Sequence, residues 1–351
     1  MSHRYHCFSA AALSLWVCLA SAAEPARQPV ATNVTTEDGF TRYTLENASW
    51  RVEVVPELGG LLTSLRDQVT GRQWLWSSTE DRQLKANQPG DTIHEGPLLG
   101  AFECFPNMND GEDPILGKLL PHGEVWATPH KVSAGAWESG TLVTILELKH
   151  VPFRYEREIK LVDNDLLLTY RITNLIPRDL PYLWAFHPFF TLRPGDRLTY
   201  DTSPDRPSFI SGAPGLPEIK KGSTFHWPIL PGNRDLSHLL SNFEGRAGLK
   251  WFSPTPADGV IRLFNPEEAR GLTLHVASPH LPWVGFWLSR GIWGGYHHLA
   301  IEPTNRATER LDTDAAATQN QIHLPAGESR EWTLILSTVP VIQHGDKSES
   351  R

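Results

Sequence analysis

Three stretches of this 351-residue chain put an imidazole or a carboxylate where the backbone pattern breaks. In the apolar, aromatic run 180–190, His187 is followed directly by Pro188. A strand stopped by a proline can aim that imidazole out of its sheet and into a cavity. A core histidine satisfied by a backbone carbonyl is the plainer reading. In 120–126, His122 precedes Gly123 and Trp126 follows, which puts His122 at a sheet edge beside an aromatic plate. In 298–304, Glu302 ends an apolar strand just before Pro303, so its carboxylate sits at a solvated rim or in a pocket. Plain alternatives stand beside these: His122 as a turn cap, Trp126 as core, Glu302 paired with Arg306 or Arg310. The chain carries 13 tryptophans, and Trp126, Trp184, Trp283, Trp287 and Trp293 fall near these places. Indole faces suit the C–H faces of sugars, and imidazoles and carboxylates bind sugar hydroxyls.

Such groups need a scaffold, and the pattern supplies strands. Period-two or apolar runs occur at 51–55, 61–65, 141–148, 153–161, 166–173, 260–264, 271–276, 298–302 and 331–336. The run 153–161 alternates apolar with charged residues, as a strand with one wet face does. Asp163, Asn164 and Asp165 then turn the chain into 166–173, a hairpin signal. No long segment keeps helical periodicity, and 28 prolines and 27 glycines punctuate the chain throughout. The expected class is all-β, a sandwich. The stretch 193–242, rich in Pro, Gly and Ser, reads as long loops.

At the N-terminus, Arg4, the apolar run 11–19 and the small residues Ala20, Ser21 and Ala22 describe a secretory signal peptide over 1–22. Residues 23–42 read as a polar tether, with regular structure from Tyr43, a single domain over 43–340 and a flexible tail over 341–351. The expected location is periplasmic or secreted. Cleavage would remove Cys7 and Cys18 and leave Cys104 alone, so no intramolecular disulfide is expected. Later in the chain no apolar run reaches roughly 18 residues, so no membrane attachment is expected once the leader is gone. A net charge of −8 argues against nucleic acid and anionic membranes as partners.

Gly59, Gly60 and the run to Asp67, then His122-Gly123, then Phe186-His187-Pro188-Phe189-Phe190, then Ile301-Glu302-Pro303 occur in an order and spacing that resemble the aldose 1-epimerase (galactose mutarotase-like) family, from about Tyr43 to Val339. The resemblance implies a large β-supersandwich with a sugar in its concave face and no metal or organic cofactor. It implies His187 as general acid, Glu302 as general base and His122 as a residue binding the sugar ring region. The implied reaction opens a pyranose by protonating the ring oxygen while a proton leaves the anomeric hydroxyl; rotation and reclosure give the other anomer. Galactose-specific members carry an Asn-Arg pair where this chain has 100–107, with Glu103, Phe105, Pro106 and Asn107. Glu103, Asn107, Trp126 and Trp287 are then candidate sugar contacts, Glu103 alternatively being an arginine's partner. Asp235 is a weaker candidate.

Two other readings use the same residues. One is a sugar-binding protein without turnover, which the absent arginine favours. The other, weaker one is a glycan-cleaving enzyme, which needs a second carboxylate beside Glu302 and finds only Glu103. The neighbouring His297 and His298 face opposite sides of a strand and cannot both ligate one metal ion. No G-x-S-x-G elbow marks a serine nucleophile.

Overall fold

The computed structural model describes residues 28–76, 84–93, 99–241, 245–293, 295–311 and 323–341. The leader expected over 1–22 and, beyond residue 341, the expected tail lie outside the described residues. Among the described residues nearly all regular structure is β, with one short α-helix at Ala134–Glu138 and 3-10 turns at Pro56–Leu58 and Val125–Ala127. The larger sheet has 12 strands. Its middle runs Leu61–Asp67, Ala101–Cys104, Ala185–Pro188, His297–Thr304, Trp283–Arg290, Ala247–Pro254 and Ser208–Gly212 in spatial order. The second sheet has eight strands, with Ser329–Pro340, Asp165–Asn174 and Phe153–Val162 side by side at its centre.

Alternation decides which residues meet between the sheets. Tyr155, Ile159, Leu168, Tyr170 and Leu334 from the second sheet share one apolar cluster with Val52, Leu65, Phe186, Trp251, Phe286 and Ile301 from the larger one. The opposite face of the larger sheet carries its own cluster, in which Phe102, Cys104, Ala185, Phe189, Trp287 and Ala300 are packed. Neighbours along each strand therefore separate: Phe186 goes to the inter-sheet core and His187 to the other face.

The tether expected over 23–42 gives way to structure well before Tyr43. Ala31–Glu37 is a strand, exposed along its whole length, and it pairs in full register with Phe40–Glu46. Its Thr, Asn and Val residues suit an edge strand wet on both faces, a pattern with no apolar alternation to announce it. The stretch 193–242 holds short strands, including Arg197–Tyr200 and Ser208–Gly212, between its turns.

A charged knot ties the sheets together. Arg157 Nη1 donates to both oxygens of Glu103 at 2.8 and 2.9 Å, and both side chains are fully buried. Tyr170 Oη donates to Glu103 at 3.0 Å, and Arg157 Nη2 donates to the Gly60 carbonyl. A Cβ at Gly60 would stand 2.7 Å from both Arg157 Nη2 and His130 Nδ1, so only glycine fits there. Glu103 is thus the arginine partner and not a sugar contact: register puts Phe102 and Cys104 on one face and Glu103 on the other, inside the core.

His130 lies beside this knot, its Nε2 3.2 Å from the Val125 carbonyl. Burial, helped by the charge of Arg157, lowers its pKa to about 3. In the unfolded chain a histidine titrates near 6.5. Between those values the unfolded chain binds the extra proton, so the stability from a neutral His130 is complete above about pH 6.5 and is lost as pH falls toward 3. That loss is on the order of 4 kcal/mol for this one group. Chemical denaturation at a series of pH values should show wild type losing more stability across this window than His130→Gln; equal losses would show that His130 is not buried neutral.

Candidate active site

His187 stands on Ala185–Pro188, paired between Ala101–Cys104 and His297–Thr304. Its ring is stacked on Phe102 at 5.0 Å and 2° and meets the Trp287 ring edge-on at 5.7 Å. Two aromatic neighbours leave the imidazole little freedom to turn. On His297–Thr304, Glu302 faces the same side of the sheet, where Gly285 is its cross-strand partner. A Cβ at Gly285 would come within 3.2 Å of Glu302 Oε2 and 3.1 Å of Phe252 Cε1, so the missing side chain makes room for the carboxylate.

His122 arrives from the 120–126 loop. Its φ of 57° and the φ of 74° at Gly123 reverse the chain there. A Cβ on Gly123 would collide with the Phe105 carbonyl oxygen at 2.1 Å. This reversal sets the His122 ring 6.1 Å from that of His187 and 5.0 Å from that of Trp126. Glu124 of the same loop accepts the Lys149 and His150 backbone N–H groups at 2.6 and 3.0 Å, which fixes the loop against the second sheet.

These elements surround a cavity of about 240 Å³. His187, His122, Trp287 and Trp293 line it together with Lys250, Glu309 and Asn109. The structure brings His187, His122 and Trp287 to this cavity, whereas Glu302 stands against His187 behind its wall and not across a sugar-sized gap from it. Trp126 is a buttress: buried beneath His122 and Phe102, it donates its indole N–H to the Pro121 carbonyl at 3.1 Å. Asn107 does not line the cavity, because its amide donates to the Asn109 and Leu120 carbonyls, both at 2.7 Å. Asp235, in the 229–235 hairpin, does not line the cavity, and its carboxylate accepts the Ser237 N–H at 2.8 Å.

Lys250 is the residue that sequence reading passes over. It lies on Ala247–Pro254, every residue of which is buried, and faces the cavity beside Trp287. Its Nζ is 2.5 Å from Glu302 Oε2 and 3.4 Å from Glu309 Oε1. Neither Arg306 nor Arg310 is this carboxylate's partner. The signal was present: a single charge between Leu249 and Trp251 in an apolar, aromatic run has to find a counter-charge. Glu309 gave none, since it follows Arg306, Ala307 and Thr308 in what reads as a solvated turn.

Glu302 is fully buried, and it lies behind His187 and Lys250 instead of lining the cavity. Its two oxygens are divided: Oε2 accepts from Lys250, while Oε1 has no hydrogen-bond partner and stands 3.7 Å from His187 Nε2. Burial, and then the charge of Lys250, push the His187 pKa well below its ordinary value. Burial opposes the charge on Lys250, but Glu302 and Glu309 outweigh it and raise the Lys250 pKa. At neutral pH the site therefore holds a neutral imidazole beside an ammonium. The imidazole is ready to accept a proton before it can donate one, which changes the starting state expected for His187.

Among the described residues no group of three or more His, Cys, Asp or Glu side chains is arranged to hold a metal ion. Among the same residues no helix is long and apolar enough to cross a membrane. Cys104 is buried under the cavity floor, and burial raises its pKa well above the usual thiol range.

No described protein family matches this sequence, and no curated protein matches it. Solved structures do. A galactose mutarotase-like protein from Clostridium acetobutylicum superposes with a TM-score of 0.64 at 11% identity, over 89% of this chain and 98% of that one. A galactose mutarotase-like protein from Lactobacillus casei gives 0.62 at 17% identity, over 85% and 100%. A protein from Escherichia coli K12, provisionally assigned as an aldose 1-epimerase, gives 0.61 at 16% identity, over 86% and 100%. The chain thus has the galactose mutarotase-like fold, as the resemblance in sequence implies.

Proposed function

We propose that this cavity binds a sugar and interconverts its α and β anomers by acid/base opening of the ring. The observation that supports this reading most is the placing of His187 and Glu302, 115 positions apart in the chain, with Nε2 and Oε1 separated by 3.7 Å at the back of one cavity. Trp287 and Trp293 offer indole surface to the sugar's C–H faces, and Asn109, His122 and Glu309 offer hydrogen-bonding groups to its hydroxyls. Ring opening needs one group to take the anomeric hydroxyl proton and another to protonate the ring oxygen as its bond to the anomeric carbon breaks. Closure from the other face runs the same transfers backwards, so each group serves in both directions. Glycosidic cleavage fits less well, because the ammonium of Lys250 fills the space between the carboxylates of Glu302 and Glu309.

Polarimetry and anomeric NMR exchange on pure α-D-glucose, α-D-galactose and α-D-xylose test the proposal: catalysed exchange of at least one is expected. Binding of a sugar without faster exchange would leave a sugar-binding protein and remove the enzyme. Gly285→Ala bears on the same reading, since its Cβ displaces the Glu302 carboxylate by a few tenths of an ångström. Its kcat should fall on the order of 10-fold, less than the roughly 10²-fold of a 1 Å misplacement. An unchanged kcat in this variant would mean that the position of Glu302 is immaterial.

A further inference from the structure

The two groups that face the cavity from either side of Glu302 are His187 and Lys250, and Glu302 touches each through a different oxygen. From this arrangement we infer that Lys250 is a catalytic residue, the proton donor to the ring oxygen, with His187 as the acceptor and Glu302 as the buried link between them. The inference rests on the ring-opening reading and assigns its missing donor.

The proton count closes. His187 Nε2 takes the proton of the anomeric hydroxyl. The anomeric carbon–oxygen bond becomes a carbonyl as the bond to the ring oxygen breaks, and that electron pair goes to the ring oxygen. Lys250 Nζ supplies the proton that the ring oxygen takes up. The site is then left with an imidazolium and a neutral amine on opposite oxygens of one carboxylate. Transfer of the His187 proton to Glu302 Oε1, rotation of the carboxyl group and release of that same proton to Lys250 Nζ restore the starting state; otherwise the same charges drive reclosure. Neither transfer requires Glu302 to reach the sugar, and burial prevents it from doing so.

The surrounding groups hold the ammonium in place facing the cavity. Glu309, held by the Asn109 side-chain amide at 3.2 Å, gives the ammonium a second anchor at the rim. A cation at this place also neutralises one of two carboxylates that would otherwise repel each other in a low-dielectric wall.

The test compares wild type, Lys250→Ala and Lys250→Arg on the α-aldose that wild type turns over, with kcat and KM read separately. Arginine keeps the positive charge but does not release a proton at accessible pH. Both variants should lose about 10²–10⁴-fold in kcat, with KM moved much less. Methylammonium, small enough for the space left by Lys250→Ala, should restore part of kcat, beyond its own effect on the sugar measured with Lys250→Ala/His187→Ala. Full activity in Lys250→Arg would show that only charge matters and overturn the donor role. A loss confined to KM would make Lys250 a binding residue, and absence of amine rescue in a folded Lys250→Ala would also count against the inference. If wild type exchanges no sugar, the functional proposal falls first and this one with it. If wild type is active and Lys250→Ala is too, only the present inference fails.

Discussion

Changing Glu302 to glutamine is expected to lower catalysed anomer exchange by about 10²–10⁴-fold, the usual worth of a positioned acid/base group. The substitution keeps the shape of the side chain and the space opened by Gly285, so packing on this face of the sheet is nearly unchanged. What disappears is the charge that holds Lys250 at 2.5 Å and the oxygen that stands 3.7 Å from His187. An amide can neither anchor the ammonium as a counter-ion nor carry a proton between two bases. Lys250 would then rest on Glu309, its remaining carboxylate. The loss should appear in kcat, with a circular dichroism spectrum like that of wild type. A Glu302→Gln enzyme within about threefold of wild type would remove this carboxylate from the chemistry, whichever group touches the sugar.

The largest expected change in stability lies elsewhere. Arg157→Met should destabilise the fold by about 3–5 kcal/mol at neutral pH, because it leaves Glu103 as an uncompensated charge in the core. Burial already raises the Glu103 pKa against the attraction of Arg157. Without the arginine, the buried carboxyl holds its proton to still higher pH than the unfolded chain does. The folded state then binds more protons than the unfolded one, so the variant's deficit should shrink as pH is lowered. Urea unfolding at pH 7.5 and pH 5.5 measures both points. A deficit below about 1 kcal/mol, or one that does not depend on pH, would mean that the knot is solvated or that Glu103 finds another partner. The double variant Glu103→Gln/Arg157→Met removes both charges and should recover much of the loss.

Strands with one wet face were legible because alternation is a local property. The run 153–161 and its hairpin partner 166–173 are found as Phe153–Val162 and Asp165–Asn174. Trp283–Arg290 and Ala247–Pro254 were not, since they are covered on both faces and show no alternation. Lys250 was hidden for the same reason. His187, Glu302, His122 and Trp287 came through because each breaks a pattern or belongs to an order of short motifs that a known family shares. Glu103, Asn107 and Trp126 lie near those motifs in sequence, but strand pleating and loop hydrogen bonds turn them away from the cavity. Proximity along the chain could not separate them from the contacts, because facing depends on parity and on partners far away in sequence.

Parity has a consequence for how this protein can change. Phe209, Phe252, Gly285 and Glu302 form a single row across four neighbouring strands, and Lys250, Trp287 and Ala300 form the next one. Exchange of one side chain for another leaves these rows intact. Insertion or deletion of one residue inside His297–Thr304 would shift the positions beyond it by half a pleat, presenting Ile301 or Pro303 where Glu302 now stands. Divergence within these strands is therefore open to substitution and closed to changes of length, whereas the turns between them can lengthen without disturbing a single pair.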